Sequence, residues 1–142
     1  MPCNTLHQLL PEIRRYTNLE VLDLIEEVSY YIKKRFRKIG ILSTNKTRNE
    51  KLYEINLEHI KIVYPTELEQ KSISKIIIRI IRNTSIKQDL KCLNRIIERM
   101  IKEGAEKVIL TCTDLANIIK NNSNTIDSTS ILIKMIFNRI KG

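Results

Sequence analysis

Gly104-Ala105-Glu106-Lys107-Val108-Ile109-Leu110-Thr111-Cys112-Thr113-Asp114-Leu115 is the stretch that decides how this chain is read. Lys107 to Leu110 form a short aliphatic run between a glycine and a set of hydroxyl and thiol residues, which has the length and the borders of a buried strand. Upstream, Ile86, Leu90, Leu93, Ile97, Met100 and Ile101 keep to one face of an amphipathic helix, and Gly104 stands where a helix cap belongs. Helix, tight turn, strand and a new helix start make an α/β unit. Cys112 then stands at the carboxyl end of a parallel strand, where open α/β sheets place their ligands.

The same alternation continues in both directions. Ile73, Ile76, Ile77, Ile80 and Ile81 recur at helical spacing, so periodicity outweighs the strand propensity of isoleucine. Ile60 to Val63 reads as a strand ended by the turn Tyr64-Pro65-Thr66, and Ile39-Gly40-Ile41-Leu42 reads as another. The polar residues 43–47 are expected to be a loop running into a helix through Leu52 and Ile55. Ile25, Val28, Tyr31 and Ile32 give a helix whose basic end, residues 33–38, suits a helix C-terminus. Past Cys112, Ile126 is expected in the last strand, and Asp127-Ser128-Thr129 introduces a terminal helix through Ile131, Met135, Ile136 and Ile140. The expected fold is α/β, a parallel sheet of about four strands flanked by helices.

Composition narrows the function. The chain has 142 residues, of which 42% are hydrophobic and 29% charged, so it can build one core and has the length of one domain. Its formal charge of +9 admits contact with phosphates, but it has no Trp and only 5% aromatic residues. A base-stacking platform and a nucleic-acid partner are therefore not expected, and any such binding would be weak and salt-sensitive. No apolar run reaches the roughly 20 residues a bilayer requires, and the opening residues lack a signal-peptide pattern, so no membrane partner and a cytoplasmic location are expected.

Cys3, Cys92 and Cys112 form no close pair and are odd in number, which argues against a disulfide framework. Cys3, His7 and Cys112 lack the spacing of a zinc site, so no metal is expected. Cys92 lies inside a helix and reads as a small buried hydrophobe. Cys3-Asn4-Thr5 and Cys112-Thr113-Asp114 instead share a plan, a thiol beside small hydrogen-bonding groups just before a helix. A thiol among backbone N–H donors is expected to ionise below its free value of about 8.5, and two such thiols can serve as two bases. His7, four residues after Cys3, is placed to face it across a helical turn.

These residues resemble the cofactor-independent aspartate/glutamate racemases. Met1-Pro2-Cys3-Asn4-Thr5-Leu6-His7 is similar to the segment carrying that family's first thiol, and Gly104 to Leu115 to the segment carrying its second. Gly40-Ile41-Leu42-Ser43-Thr44, with Thr47 and Tyr53, is similar to the strand and loop between them, and Asp127-Ser128-Thr129 to its closing turn. The resemblance implies an isomerase with no cofactor, in which Cys3 and Cys112 exchange the α-proton of a small acidic amino acid, aspartate or glutamate, from opposite faces. Asn4, Thr5, Thr47 and Thr113 would bind substrate, and Arg82 would hold its side-chain carboxylate. Thr111 and Asp114 stand where the family has Gly and Glu.

Family members have two similar lobes, and this chain begins near the end of the first. The expected organisation is a remnant of that lobe over 1–16, an α/β lobe over 17–127 and a C-terminal helix over 128–142 that packs toward the missing lobe. The helix's exposed aliphatic surface then favours a homo-oligomer or a separate first-lobe chain as partner. The competing readings are an inactive or partial racemase remnant acting as a structural or interaction domain and, with less weight, a weak nucleic-acid-binding module.

Overall fold

The structure is a computed structural model that describes Cys3, Asn4 and residues 7–120 and 122–141. Four parallel strands, β1 (Lys38–Leu42), β2 (Lys61–Val63), β3 (Lys107–Leu110) and β4 (Thr125–Asp127), lie in the order β2-β1-β3-β4. β1 and β3 are the central pair, in register from Ile39 opposite Lys107 to Leu42 opposite Leu110. This is the four-stranded α/β sheet expected from the alternation of periods.

Side chains alternate across the sheet and so build two cores. Ile39, Ile41 and Ile109 face α2 (Leu24–Lys33) and α7 (Ser128–Lys141), together with Tyr53 and Leu57. Leu42, Val108 and Leu110 face α4 (Glu67–Ile81), α5 (Lys87–Lys102) and α6 (Thr113–Ile118). Both faces are covered, which is why the strands read as continuous aliphatic runs.

Helix ends follow local chemistry. Thr66 and Glu69 form a reciprocal capping box at the start of α4. Gly104, at φ +94°, supplies the left-handed residue that turns the chain from α5 into β3. α4 and α5 run antiparallel, since Arg99 near the end of α5 bonds Glu69 in the first turn of α4, while Arg79 near the end of α4 bonds Asp89 at the start of α5.

The segment after β1 departs from expectation. The helix starts earlier, at Asn45, because the Thr44 side chain accepts from the Thr47 N–H and caps it, and it ends at Asn49 (α3, Asn45–Asn49). Lys51 adopts φ +49°, and a 3-10 turn, Glu54–Asn56, replaces the expected continuation. Tyr53 and Leu57 enter the core, whereas Ile55 is exposed. A short helix, α1 (Leu10–Arg15), precedes α2. Ile131 and Leu132 seat α7 on the core beside α2, while its Ile133, Phe137 and Ile140 face outward. No helix among the described residues is long and apolar enough to cross a membrane.

Candidate active site

Cys112 caps α6 directly after β3, at the carboxyl edge of the two central strands. Thr111 ties that edge to β1, since both its N–H and its hydroxyl donate to the Leu42 carbonyl, at 2.9 and 3.1 Å. The Cys112 thiol is buried, with 7% of the residue exposed. Burial pushes its ionisation up, and the nearby Asp114 carboxylate and Cys3 thiol push the same way. The backbone N–H groups of Leu115 and Asp114 oppose the shift without reversing it. This corrects the expectation of a thiol acidified by its helix terminus: desolvation outweighs the amide donors of so short a helix.

Cys3 lies near enough to add to that upward push on the Cys112 thiol. Cys3 is half-buried, whereas its neighbour Asn4 is 2% exposed and committed at both ends of its amide. Asn4 Oδ1 accepts from the Tyr53 hydroxyl, and Asn4 Nδ2 donates to Ser128 Oγ at 3.3 Å. Burial, with the carboxylates of Asp23 and Asp127 close by, raises the Tyr53 phenol well above its ordinary range, so it stays protonated.

His7 does not serve Cys3 in the way its spacing suggested. Its Nε2 lies 3.0 Å from Asp23 Oδ2, and the other oxygen of Asp23 caps α2 at the Glu26 N–H. Asp127 caps the start of α7 through the N–H groups of Thr129 and Ser130.

Of the other expected site residues, Thr47 is buried in α3, which follows the carboxyl end of β1, with its hydroxyl 3.1 Å from that of Thr44. Thr113 is exposed in the first turn of α6, next to Cys112. Thr5 lies outside the described residues. Arg82 stands apart as the exposed C-cap of α4. It lies about 18 Å along the helix axis from Gln70, whose side chain reaches the Ser43 carbonyl beside β1. Cys92 is half-buried on α5, away from this edge. No group of three or more His, Cys, Asp or Glu side chains among the described residues is arranged to hold a metal.

Sequence reasoning assigned no role to Asp23 and none to Tyr53 beyond a family likeness. Asp23 carried a readable signal, an Asp immediately before a helical pattern opening with acidic residues. Tyr53 carried none, because its partner is 49 positions away.

The fold agrees with comparisons to known proteins. The model of the family described as Asp/Glu/Hydantoin racemase matches residues 1–136. The broad specificity amino-acid racemase RacX of Bacillus subtilis (strain 168) is 26% identical over 138 residues, which are 94% of this chain and 60% of that protein. An uncharacterized protein of the pnlA 3′ region from Pectobacterium carotovorum subsp. carotovorum is 25% identical over 131 residues, 87% of each chain. Among solved structures, an aspartate racemase homologue from Pyrococcus horikoshii OT3 superposes with TM-score 0.78 at 26% identity, covering 99% of this chain and 65% of that one. The Picrophilus torridus aspartate racemase superposes with TM-score 0.72 at 25% identity, covering 90% and 55%. The chain thus spans 55 to 65% of these racemases and most of the Pectobacterium protein. With two thiols at one edge of a parallel sheet and a family match over nearly its whole length, the chain belongs to the Asp/Glu/Hydantoin racemase family.

Proposed function

We propose that this chain is an amino-acid racemase acting on aspartate or glutamate without a cofactor, with Cys3 and Cys112 as the proton-transferring pair. The observation that carries the reading is that thiols 109 positions apart are brought to one side of the sheet, Cys3 beside the Asn4 that bonds Tyr53 and Ser128, and Cys112 at the carboxyl end of β3. Inverting a stereocentre through a planar carbanion needs one acid or base on each face, and two facing thiols meet that requirement.

The environment of Cys112 assigns a direction. Burial favours the protonated form of Cys112, so in this reading it donates the proton while Cys3 takes the α-proton of one enantiomer. Delivery of the Cys112 proton leaves a thiolate there and a thiol at Cys3, the resting state for the opposite enantiomer. In this reading Thr113, exposed in the first turn of α6 beside Cys112, would help hold the α-carboxylate. Thr47 lines the β1 side.

The test is to incubate the protein with L- and D-aspartate, then with glutamate, in deuterated buffer, following optical rotation and loss of the α-proton. Racemisation with deuterium incorporation supports the proposal, and its absence for all four substrates refutes it for this chain. The second reading, a racemase lobe serving as an interaction domain, draws on the outward-facing Ile133, Phe137 and Ile140 of α7 and on the share of the racemases that the chain spans. Sedimentation that stays monomeric at high concentration counts against self-association through that face.

A further inference from the structure

We infer that Tyr53 is a positioning residue for Cys3, acting through Asn4, whose side chain holds the first thiol in place. The inference rests on the racemase reading only where it concerns catalysis.

Hydrogen-bond polarity makes the case. A buried phenol flanked by two carboxylates remains an O–H donor, so the Asn4 atom facing it must be the oxygen. That fixes the amide orientation, and the nitrogen is left to donate to Ser128 Oγ at 3.3 Å. Asn4, at 2% exposed, is then clamped between Tyr53 from the loop after β1 and Ser128 at the start of α7. Cys3 is the adjacent residue, and His7, whose N–H donates to the Asn4 carbonyl at 3.2 Å, is held by Asp23 on the other side. Segments separated by 49 and 124 positions therefore supply the rigidity that a strand would otherwise give a thiol. A general base must be held within a fraction of an ångström of its working geometry, so this clamp bears on the rate of proton transfer.

The experiment compares alkylation of Cys3, Cys92 and Cys112 by iodoacetamide, read by mass spectrometry on the full chain, in wild type, Tyr53→Phe, Ser128→Ala, Asn4→Ala and Tyr53→Phe/Asn4→Ala. Tyr53→Phe removes one oxygen and leaves the Asn4 acceptor buried and unpaired. The expected result is a Cys3 rate raised about fivefold, the change in open population that loss of one net hydrogen bond gives, with Cys92 and Cys112 unchanged. The double variant should be no faster than Asn4→Ala, because the effect passes through Asn4. Should Tyr53→Phe fail to fold, Ser128→Ala releases the other end of the same amide and must show the same selectivity. Equal acceleration of all three thiols, or none at Cys3, overturns the inference. In deuterated buffer, selective loss of α-proton exchange from one enantiomer, with kcat falling at constant KM, supports it, and equal loss from both overturns it. If wild type exchanges no α-proton, the racemase reading fails while the alkylation comparison still decides the clamp.

Discussion

Replacing Asp114 by Asn should acidify Cys112. In the structure Asp114 Oδ2 lies 4.0 Å from Cys112 Sγ, and its charge opposes formation of the thiolate. Two unit charges at that separation repel by about 1 kcal/mol in water and about 4 kcal/mol at an effective dielectric of about 20. Asp114 is only half-buried, so the lower figure applies. Since 1.36 kcal/mol corresponds to one pKa unit, about 1 kcal/mol lowers the Cys112 midpoint by roughly 0.7 unit and raises the thiolate fraction near neutrality about fivefold. The assay is the pH dependence of Cys112 alkylation in the Cys92→Ser background, whose midpoint reports ionisation while access to the buried sulfur sets only the amplitude. Wild type should titrate above the free-thiol range, and Asp114→Asn should titrate below wild type. The substitution also removes an acidic residue from the first turn of α6, so a small loss in Tm is expected alongside. A midpoint that stays put or moves upward would refute the assignment of Asp114 as the charge opposing the thiolate.

Cys3→Ser and Cys112→Ser should each abolish racemisation, because a serine hydroxyl is too weak an acid to replace a thiolate, while Cys92→Ser retains it, as read by optical rotation. Each active-site variant should at most exchange the α-proton of one enantiomer with deuterium, since the surviving thiol reaches one face. Gly40→Ala should lower stability by about 1–3 kcal/mol in urea melts, because the new Cβ would sit 2.8 Å from Met100 Cε and 3.0 Å from Val108 Cγ2. Met100 can swing its methyl group aside, so the stiffer Val108 sets the cost. Bonds from Arg79 hold the buried Asp89 carboxyl below its ordinary value, so their stabilisation is present above about pH 4 and is lost as pH falls through the lowered value. Arg79→Met should therefore depress Tm near neutrality and converge on wild type in strong acid, as followed by thermal melts across pH.

How much the sequence disclosed depended on the range of the forces involved. The strand at 107–110 and the helices through Ile73 and Leu93 were legible because hydrophobic period and turn residues are local signals. The segment after β1 was misjudged for the same reason. Leu52 and Ile55 mimic a helical stripe, but the Thr44 cap moves the helix forward, Lys51 breaks the chain direction, and Tyr53 and Leu57 take the core positions. At Cys112 the helix start could be read from residues in a row, whereas burial, the larger influence on its proton, comes from the packing of α4, α5 and α6 around it. His7 shows the same limit, since spacing relates it to Cys3 and the fold gives it to Asp23.

The placement of Cys112 beside the loop after β1 follows from sheet order. β1 and β3 are adjacent although their last residues, Leu42 and Leu110, are 68 positions apart, so the turns leaving them share one edge. The β3 turn delivers Cys112 and α6, while the β1 turn delivers Thr44, Thr47 and, further on, Tyr53. Parallel strands make this automatic, because every strand exits on the same side. Cys3 belongs to neither strand, and its neighbour Asn4 is bonded to Tyr53 from the β1 loop and to Ser128 at the start of α7. The seating of α7 on α2 is thereby coupled to the first thiol: whatever unseats Ser128 releases Asn4, and with it one of the two faces from which a proton could be exchanged.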